Sequence, residues 1–348
     1  MRILVTGGAG FIGSAVVEQL VAQGASVVVL DDLSTGSEGN LAAVRDRIAF
    51  HRGSILDPEA LDRAVAGADC IIHLAARTSV PRSVAEPLET NRVNVEGTLA
   101  VLEAARRAGV RRVVYAASSS AYGDSATLPM VETQPPAPLS PYGVSKLAGE
   151  LYAAVYTRLH GLETVALRYF NVYGPRQNPD SPYAAVLARF LAALADGEPP
   201  VVYGDGGQTR DFTYVEDAAA ATVAACTATG ANGYVINVAG GHPVSLREVL
   251  VLLEQITGRR VHPRYAPPRP GDIRHSAADL SRADALLGWR PRVALEEGLR
   301  RTWQWMLAHR AAGTGRAAAG TAPVQPPVRT CLLGNPSPEK PPHPAAYR

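Results

Sequence analysis

Apolar positions change their period along this chain in a regular way. Arg2 to Thr6 is a short apolar run, then comes Gly7-Gly8-Ala9-Gly10-Phe11-Ile12-Gly13, and then Val16, Val17, Leu20 and Val21 recur at helical spacing until Gly24. The pattern predicts a strand, a glycine turn and a helix. Ser26 to Leu30 is a second strand, and it ends in Asp31. Apolar runs at Ile48–Phe50, Cys70–Leu74, Arg112–Ala117 and Thr164–Tyr169 alternate with helical patterns near Leu61–Val65, Val93–Ala108 and Ser145–His160. Such alternation predicts an α/β protein built on a doubly wound parallel sheet.

The pattern loosens after Tyr169. Asn171 to Pro182 is a Gly/Pro/Asn-rich loop, and helices near Tyr183–Ala195, Val215–Thr227, Ser245–Thr257 and Leu295–His309 alternate with short strands. The expected organisation is a nucleotide-binding domain over 1–170, to which some later segments return, and a smaller mixed α/β substrate-binding region over 171–310. Residues 311–348 carry eight prolines among Ala, Gly and Ser without periodicity. They are expected to be a disordered tail.

Composition narrows the classes. With 47% hydrophobic and 19% charged residues the chain can bury a large core, and a net charge of +2 gives no reason to expect a nucleic acid or other polyanion as partner. There is no run of roughly 18 apolar residues, and Met1-Arg2-Ile3-Leu4-Val5 enters a strand directly. The expectation is a cytoplasmic protein with neither signal peptide nor membrane span. Cys70, Cys226 and Cys331 are far apart, so neither a disulfide framework nor a zinc site is expected, and the histidines form no metal-spaced cluster.

The glycine turn suits a dinucleotide. Gly7, Gly10 and Gly13 let the backbone approach a pyrophosphate, the helix opening at Phe11 and Ile12 favours its charge, and Asp31 can accept hydrogen bonds from an adenosine ribose. An acid there disfavours a 2′-phosphate, and the neighbouring Asp32 strengthens the preference for NAD over NADP. Ligands of such sheets sit at the carboxyl ends of strands, where the sequence places His73-Leu74-Ala75-Ala76, Ser118-Ser119-Ser120 and Tyr169-Phe170-Asn171.

Tyr142 and Lys146 stand four apart on a predicted helix and share a face, so an ammonium can favour the ionised phenol as a base. With 13 Tyr and two Lys in the chain, the Tyr-x-x-x-Lys spacing is expected by accident only about 0.07 times. Every other basic residue except Lys340 is Arg. A lone lysine in the folded part of an Arg-rich chain is expected to use what a guanidinium lacks, a compact head that relays a proton.

Together these motifs, with Asn94, Tyr122-Gly123, Leu167-Arg-Tyr-Phe-Asn-Val-Tyr-Gly-Pro-Arg176 and Arg210-Asp-Phe212, resemble the extended short-chain dehydrogenases/reductases of the NAD-dependent nucleotide-sugar epimerase/dehydratase type, over about residues 1–310. The resemblance implies a Rossmann-type fold, NAD as cofactor, a homodimer through the segments near Val93–Ala108 and Ser145–His160, and a triad of Ser118, Tyr142 and Lys146. Ser118 would hydrogen-bond the sugar oxygen, Tyr142 would take its proton, and Lys146 would bridge to the nicotinamide ribose and lower the tyrosine pKa. Further cofactor contacts are implied at Ser34, Thr35, Gly36, Ser54, Ile55, Leu74, Ala75, Ala76, Asn94, Ala116 and Tyr169. Ser54 stands where relatives usually have an Asp, and Arg77-Thr78 replace small or apolar residues.

Substrate contacts are implied at Ser79, Ser119 and Ala185, at Asn171, Arg210 and Arg274 around a diphosphate, at Val201 and Tyr203 beside a uracil, and at Arg269 and Asp272 near the nucleotide ribose. Dehydrating relatives place an Asp-Glu pair after the Ser/Thr. Ser119 and Ser120 stand there instead, which leaves a 4-epimerisation. Ser276 occupies the place where a bulky Tyr would exclude a 2-acetamido group, so the resemblance is nearest to enzymes acting on UDP-N-acetylglucosamine or its uronic acid. A UDP-glucose 4-epimerase, a dehydratase or decarboxylase, and a non-catalytic NAD-binding regulator are the alternatives.

Overall fold

Strand β1 (Arg2–Thr6) shows why the sheet needs helices on both faces: Ile3 and Val5 enter one apolar cluster, Leu4 enters another, and all three are fully buried. Period-two alternation with no polar face is what a central parallel strand requires. The computed structural model describes residues 1–179, 185–268 and 273–313. In chain order β1 is followed by α1 (Phe11–Ala22), β2 (Ser26–Asp31), β3 (Ile48–Arg52), α2 (Pro58–Val65), β4 (Cys70–His73), α3 (Val80–Ala85), α4 (Pro87–Asn91), α5 (Gly97–Arg107), β5 (Arg112–Ser118), α6 (Pro141–His160) and β6 (Glu163–Tyr169). Then come β7 (Val172–Tyr173), α7 (Val186–Asp196), β8 (Val201–Tyr203), β9 (Thr209–Asp211), β10 (Thr213–Tyr214), α8 (Val215–Ala225), β11 (Tyr234–Val238), β12 (Pro243–Ser245), α9 (Leu246–Thr257), β13 (Arg264–Ala266), α10 (Ser281–Leu287) and α11 (Leu295–Gly313).

Seven strands form one sheet in the order β11-β6-β5-β4-β1-β2-β3. Every pairing in it is parallel. The order reverses between β1 and β4, which opens a crevice at the carboxyl ends of those strands. The cluster holding Ile3 and Val5 also takes in Val16, Val17 and Leu20 of α1 and Ala218 and Ala221 of α8, whereas Leu4 lies with Leu61 of α2 and Val101 and Leu102 of α5. A third cluster joins Leu187, Phe190 and Leu191 of α7 to Val249 and Leu253 of α9 and Leu299 and Trp303 of α11. Burial of each such side chain stabilises the fold by about 1.5–3 kcal/mol.

Val80–Asn91 forms α3 and α4, with Pro81 and Pro87 in their first turns, where a missing N–H leaves no bond unmade. A turn of π-helix over Arg92–Glu96 then joins α4 to α5. Helix α6 begins at Pro141 rather than Ser145: the Ser140 side chain caps it by accepting the Gly143 N–H, and Gly161 ends it at φ 68. Tyr142 is therefore in its first turn. Residues 1–309 form one compact unit; the expected tail from 314 onward lies outside the described residues. No helix among the described residues is long and apolar enough to cross a membrane.

Candidate active site

The glycine turn is built by close approaches that only glycine permits. A Cβ on Gly13 would lie 2.1 Å from the Gly7 carbonyl oxygen, and one on Gly7, which has φ +72, would lie 2.7 Å from the Ala75 nitrogen. The turn is thereby packed against Leu74-Ala75-Ala76 at the end of β4, where the Thr6 carbonyl accepts the Leu74 N–H at 3.1 Å. Helix α1 starts after Gly10 with no side-chain cap and no acidic residue in its first turn. Its first N–H donors, at Phe11, Ile12 and Gly13, are left for an anion, which fits the pyrophosphate of a dinucleotide.

Asp31 ends β2 and shapes the same turn: Oδ2 accepts from the Ala9 N–H at 2.9 Å and Oδ1 from Leu33 at 2.8 Å. Burial raises its pKa, and the two backbone bonds oppose that. Asp32 accepts the Ser34 N–H at 2.9 Å, starting the loop that carries Thr35 and Gly36. Gly36 lies against the turn, with 2.8 Å from its hypothetical Cβ to the Ala9 carbonyl. Farther along, Ser54 Oγ accepts the Leu56 N–H at 3.2 Å, and Ile55 is buried among α2 and α5 residues. Ile55 serves the core.

The triad residues converge from β5 and α6. Ser118 is the last residue of β5, paired in register with Tyr169 of β6. Its Oγ accepts the Ser120 N–H at 3.1 Å and donates to Ser120 Oγ at 3.0 Å, and the hydroxyl lies near enough to the Tyr142 phenol to influence its ionisation. Ser119 lies in the short 3₁₀ turn beside it. Lys146 is buried, with Nζ donating to the Ala116 carbonyl at 2.8 Å and lying 5.1 Å from the centre of the Tyr115 ring. The expected lowering of the tyrosine by the lysine is not what the structure gives. Burial holds the Tyr142 phenol above its usual pKa, the nearby Ser118 hydroxyl opposes this, and the Lys146 charge is directed at a carbonyl and a neighbouring ring. Burial likewise pulls Lys146 down to about 8, against the Glu150 carboxylate one turn along α6.

Several groups that hold this centre were not singled out in the sequence. Ser83 Oγ accepts the Tyr142 N–H at 3.1 Å, and Ser145 Oγ donates to the Tyr142 carbonyl at 2.8 Å. Asn94, expected at the cofactor, is buried with its polar atoms engaged elsewhere: Oδ1 accepts the Arg77 N–H at 2.8 Å, and Nδ2 donates to the Arg77 carbonyl at 2.9 Å and Ser145 Oγ at 3.0 Å. His73 bridges Thr6 and Thr98 through its two ring nitrogens, and burial together with the Lys146 charge pulls its pKa to about 3. Tyr169 is turned into the core, its hydroxyl 2.7 Å from Thr222 of α8, so it offers backbone rather than phenol at the strand end. The Arg77 guanidinium, a departure from the family pattern, pairs with Glu86 and Glu89 at 3.0 and 3.2 Å.

The expected substrate residues lie on several elements. Asn171, at φ 34, donates from Nδ2 to the Asp211 carbonyl at 3.2 Å, so it lies beside β9. Arg210 Nη1 donates to the Thr209 carbonyl at 2.9 Å and the Arg274 carbonyl at 3.4 Å, and the Arg274 guanidinium is bidentate on Asp205 at 2.7 and 3.0 Å. Buried Asp211 accepts the Gly241 and Ala278 N–H groups, fixing the strap that carries the buried Ser276. Val201 and Tyr203 lie on β8, with Arg189 5.5 Å above the Tyr203 ring. Ser79 caps α3 by accepting the Arg82 N–H at 3.1 Å, and Ala185 is exposed at the start of α7. Arg269 and Asp272 lie outside the described residues. Among the described residues no group of three His, Cys, Asp or Glu is placed to hold a metal ion.

Residues 3–239 match the family model described as the NAD dependent epimerase/dehydratase family. The chain belongs to that family. It is 43% identical over 306 residues to a UDP-glucose 4-epimerase of Mycolicibacterium smegmatis, covering 87% of this chain and 97% of that one. A UDP-glucuronate 4-epimerase of Thermodesulfobacterium geofontis is 35% identical, covering 87% and 95%. Among solved structures, a UDP-N-acetylglucosamine 4-epimerase from Methanobrevibacter ruminantium, in complex with UDP-N-acetylmuramic acid, superposes with a TM-score of 0.85 at 38% identity, covering 88% of this chain and 98% of that one. The cofactor of the family is NAD, and the turn at Gly7–Gly13 is built to take it.

Proposed function

We propose that this enzyme inverts C4 of a UDP-N-acetylhexosamine or of its uronic acid. The observation that carries the reaction type is the approach of Ser118, at the carboxyl end of β5, and Tyr142, in the first turn of α6, with Lys146 behind them and serines rather than carboxylates at 119 and 120. Bound NAD supplies a hydride acceptor that is regenerated when the hydride returns, so no net oxidation results. Tyr142 takes the proton of the sugar 4-hydroxyl, and Ser118 donates a hydrogen bond to the same oxygen. Lys146, a buried cation one turn away, donates to the Ala116 carbonyl and would bridge to the nicotinamide ribose when NAD is bound. The resulting 4-keto sugar turns about its bond to phosphate, and Tyr142 returns the proton after the other face has been presented. Arg210 would hold the diphosphate, joined by Arg274 once its fork exchanges the Asp205 carboxylate for phosphate oxygens.

The small, buried Ser276 supports the acetamido sugar, and likeness to the Methanobrevibacter enzyme points the same way. The Mycolicibacterium relative favours a second reading, UDP-glucose. Proton NMR of the purified protein with UDP-N-acetylglucosamine, its 6-carboxylate and UDP-glucose in turn separates them. A C4 epimer of an acetamido sugar with no net redox change is expected. Conversion of UDP-glucose alone would refute the Ser276 argument, and release of water or carbon dioxide would refute epimerisation itself.

Homodimerisation through α5 and α6 belongs to the same proposal. Val144, Leu151, Val155 and Leu159 are 54%, 60%, 43% and 73% exposed and fall on one face of α6, which supports burial against a second copy. A cytoplasmic setting, where NAD and nucleotide sugars are made, accords with the unpaired thiols of Cys70 and Cys226.

A further inference from the structure

One residue of the Leu167–Arg176 motif has no role in this scheme. Arg176 has φ 71, a conformation that residues with side chains rarely adopt. Its Nη2 donates to both carboxylate oxygens of Glu18 of α1, at 2.7 and 2.8 Å, although the two residues are 158 apart. The other terminal nitrogen donates to the Asn40 carbonyl at 3.3 Å. Asn40 reaches the glycine turn directly, since its Nδ2 donates to the Ala9 carbonyl at 2.9 Å. The Ser37 N–H donates to the same carbonyl at 3.1 Å. Contacts therefore run without a break from the segment after β7, through α1 and the loop after β2, to the turn that fits the pyrophosphate.

We infer that Arg176 is a positioning residue which, with Glu18 and Asn40, latches the Ser34–Asn40 loop onto the glycine turn and so retains NAD between turnovers. An enzyme that regenerates its cofactor in place has no need to release it, and the latch supplies the barrier. The two terminal nitrogens of one planar guanidinium thus hold α1 and the loop together, Nη2 on Glu18 and Nη1 on the Asn40 carbonyl. Formation by residues from both the nucleotide-binding and the substrate-binding parts ties cofactor release to separation of that segment from α1. The inference rests on the NAD reading above.

The test compares the intact protein with Arg176→Gly, Glu18→Gln and the double variant. Glycine adopts φ 71 freely, so Arg176→Gly keeps the backbone while removing the fork; Glu18→Gln removes the pair from the other side. Each protein is loaded with NAD, freed of excess by gel filtration, and followed for released NAD by an enzymatic cycling assay. Release at least tenfold faster is expected in both single variants, with the double variant no faster than Arg176→Gly. Release from Arg176→Gly at the wild-type rate would overturn the latch, as would fast release from that variant with wild-type release from Glu18→Gln, or additive effects in the double variant. A wild-type protein that takes up no NAD would overturn the cofactor reading and the latch together, whereas wild-type retention with unaltered variants overturns the latch alone.

Discussion

The side-chain amide of Asn94 donates to the Ser145 hydroxyl at 3.0 Å across 51 residues of chain, and that hydroxyl donates to the Tyr142 carbonyl at 2.8 Å. Asn94 also clamps both backbone polar groups of Arg77, so the segment after β4 and the first turn of α6 are held by one buried amide. Each bond satisfies a group that would otherwise be buried and unpaired. The turn of π-helix at Arg92–Glu96 brings Asn94 to this place.

Asn94→Ala is accordingly expected to lower stability by about 2–3 kcal/mol, from buried groups left without partners. Because the bond acts on the placement of Tyr142 rather than on substrate, kcat should fall roughly tenfold while KM moves less than twofold. Urea denaturation and steady-state kinetics measure both, and an unaltered kcat would leave Asn94 with a purely structural role.

Tyr142→Phe removes the hydroxyl proposed to move the proton and little else, since its backbone is still held by Ser83 and Ser145. Turnover should fall by about 10²–10⁴-fold, the range of general acid–base catalysis, while NAD still binds. Near-wild-type turnover would mean that another group moves the proton.

How much of this was legible in the sequence depends on whether a feature is local. The central strands could be read because parallel strands covered on both sides are apolar throughout, as Ile3, Leu4 and Val5 are. The glycine turn and the Tyr142–Lys146 spacing are also local, since one needs only three backbone approaches and the other only the helical repeat. Ser83 beneath Tyr142 and Glu18 beneath Arg176 are set by packing across 59 and 158 residues, which no spacing reveals. Helices α3 and α4, of six and five residues, are too short for an apolar period to mark them. The sign of the Tyr142 shift was misjudged for a different reason: burial of the phenol outweighs everything nearby, and that burial is a property of the assembled fold.

Lys146 illustrates function maintained against stability. Its folded pKa is drawn down to about 8 from an ordinary 10.5, so between those values the unfolded chain binds the proton and the folded one does not. Stability contributed by this residue therefore rises with pH from about 8 to about 10.5, and at pH 7 the buried cation costs up to about 3 kcal/mol. Replacement by Met leaves the Ala116 carbonyl without its partner, which offsets part of the gain. Lys146→Met should raise the unfolding free energy at pH 7 by about 1–2 kcal/mol, lose that advantage toward pH 10, and be nearly inactive. Urea denaturation at pH 7 and 9.5 decides it: an advantage that is equal at both values would show that the lysine is not held below its ordinary pKa.

Glu150 and Arg168 carry the last prediction. Both side chains are almost wholly buried, the pair is bidentate at 2.9 and 2.7 Å, and the guanidinium lies 4.4 Å from the centre of the Tyr122 ring. One of its nitrogens, Nη1, is buried with no hydrogen-bond partner, so the charge is only just accommodated. Removing Glu150 alone leaves a buried, unpaired guanidinium, and Glu150→Gln should cost about 3–5 kcal/mol. Replacing both partners with apolar groups of similar size removes the desolvation cost as well as the attraction, so Glu150→Leu with Arg168→Met should recover most of that loss in equilibrium denaturation. Recovery of stability without recovery of turnover would assign the pair an electrostatic task at Lys146, one turn away on α6; recovery of both would confine it to packing.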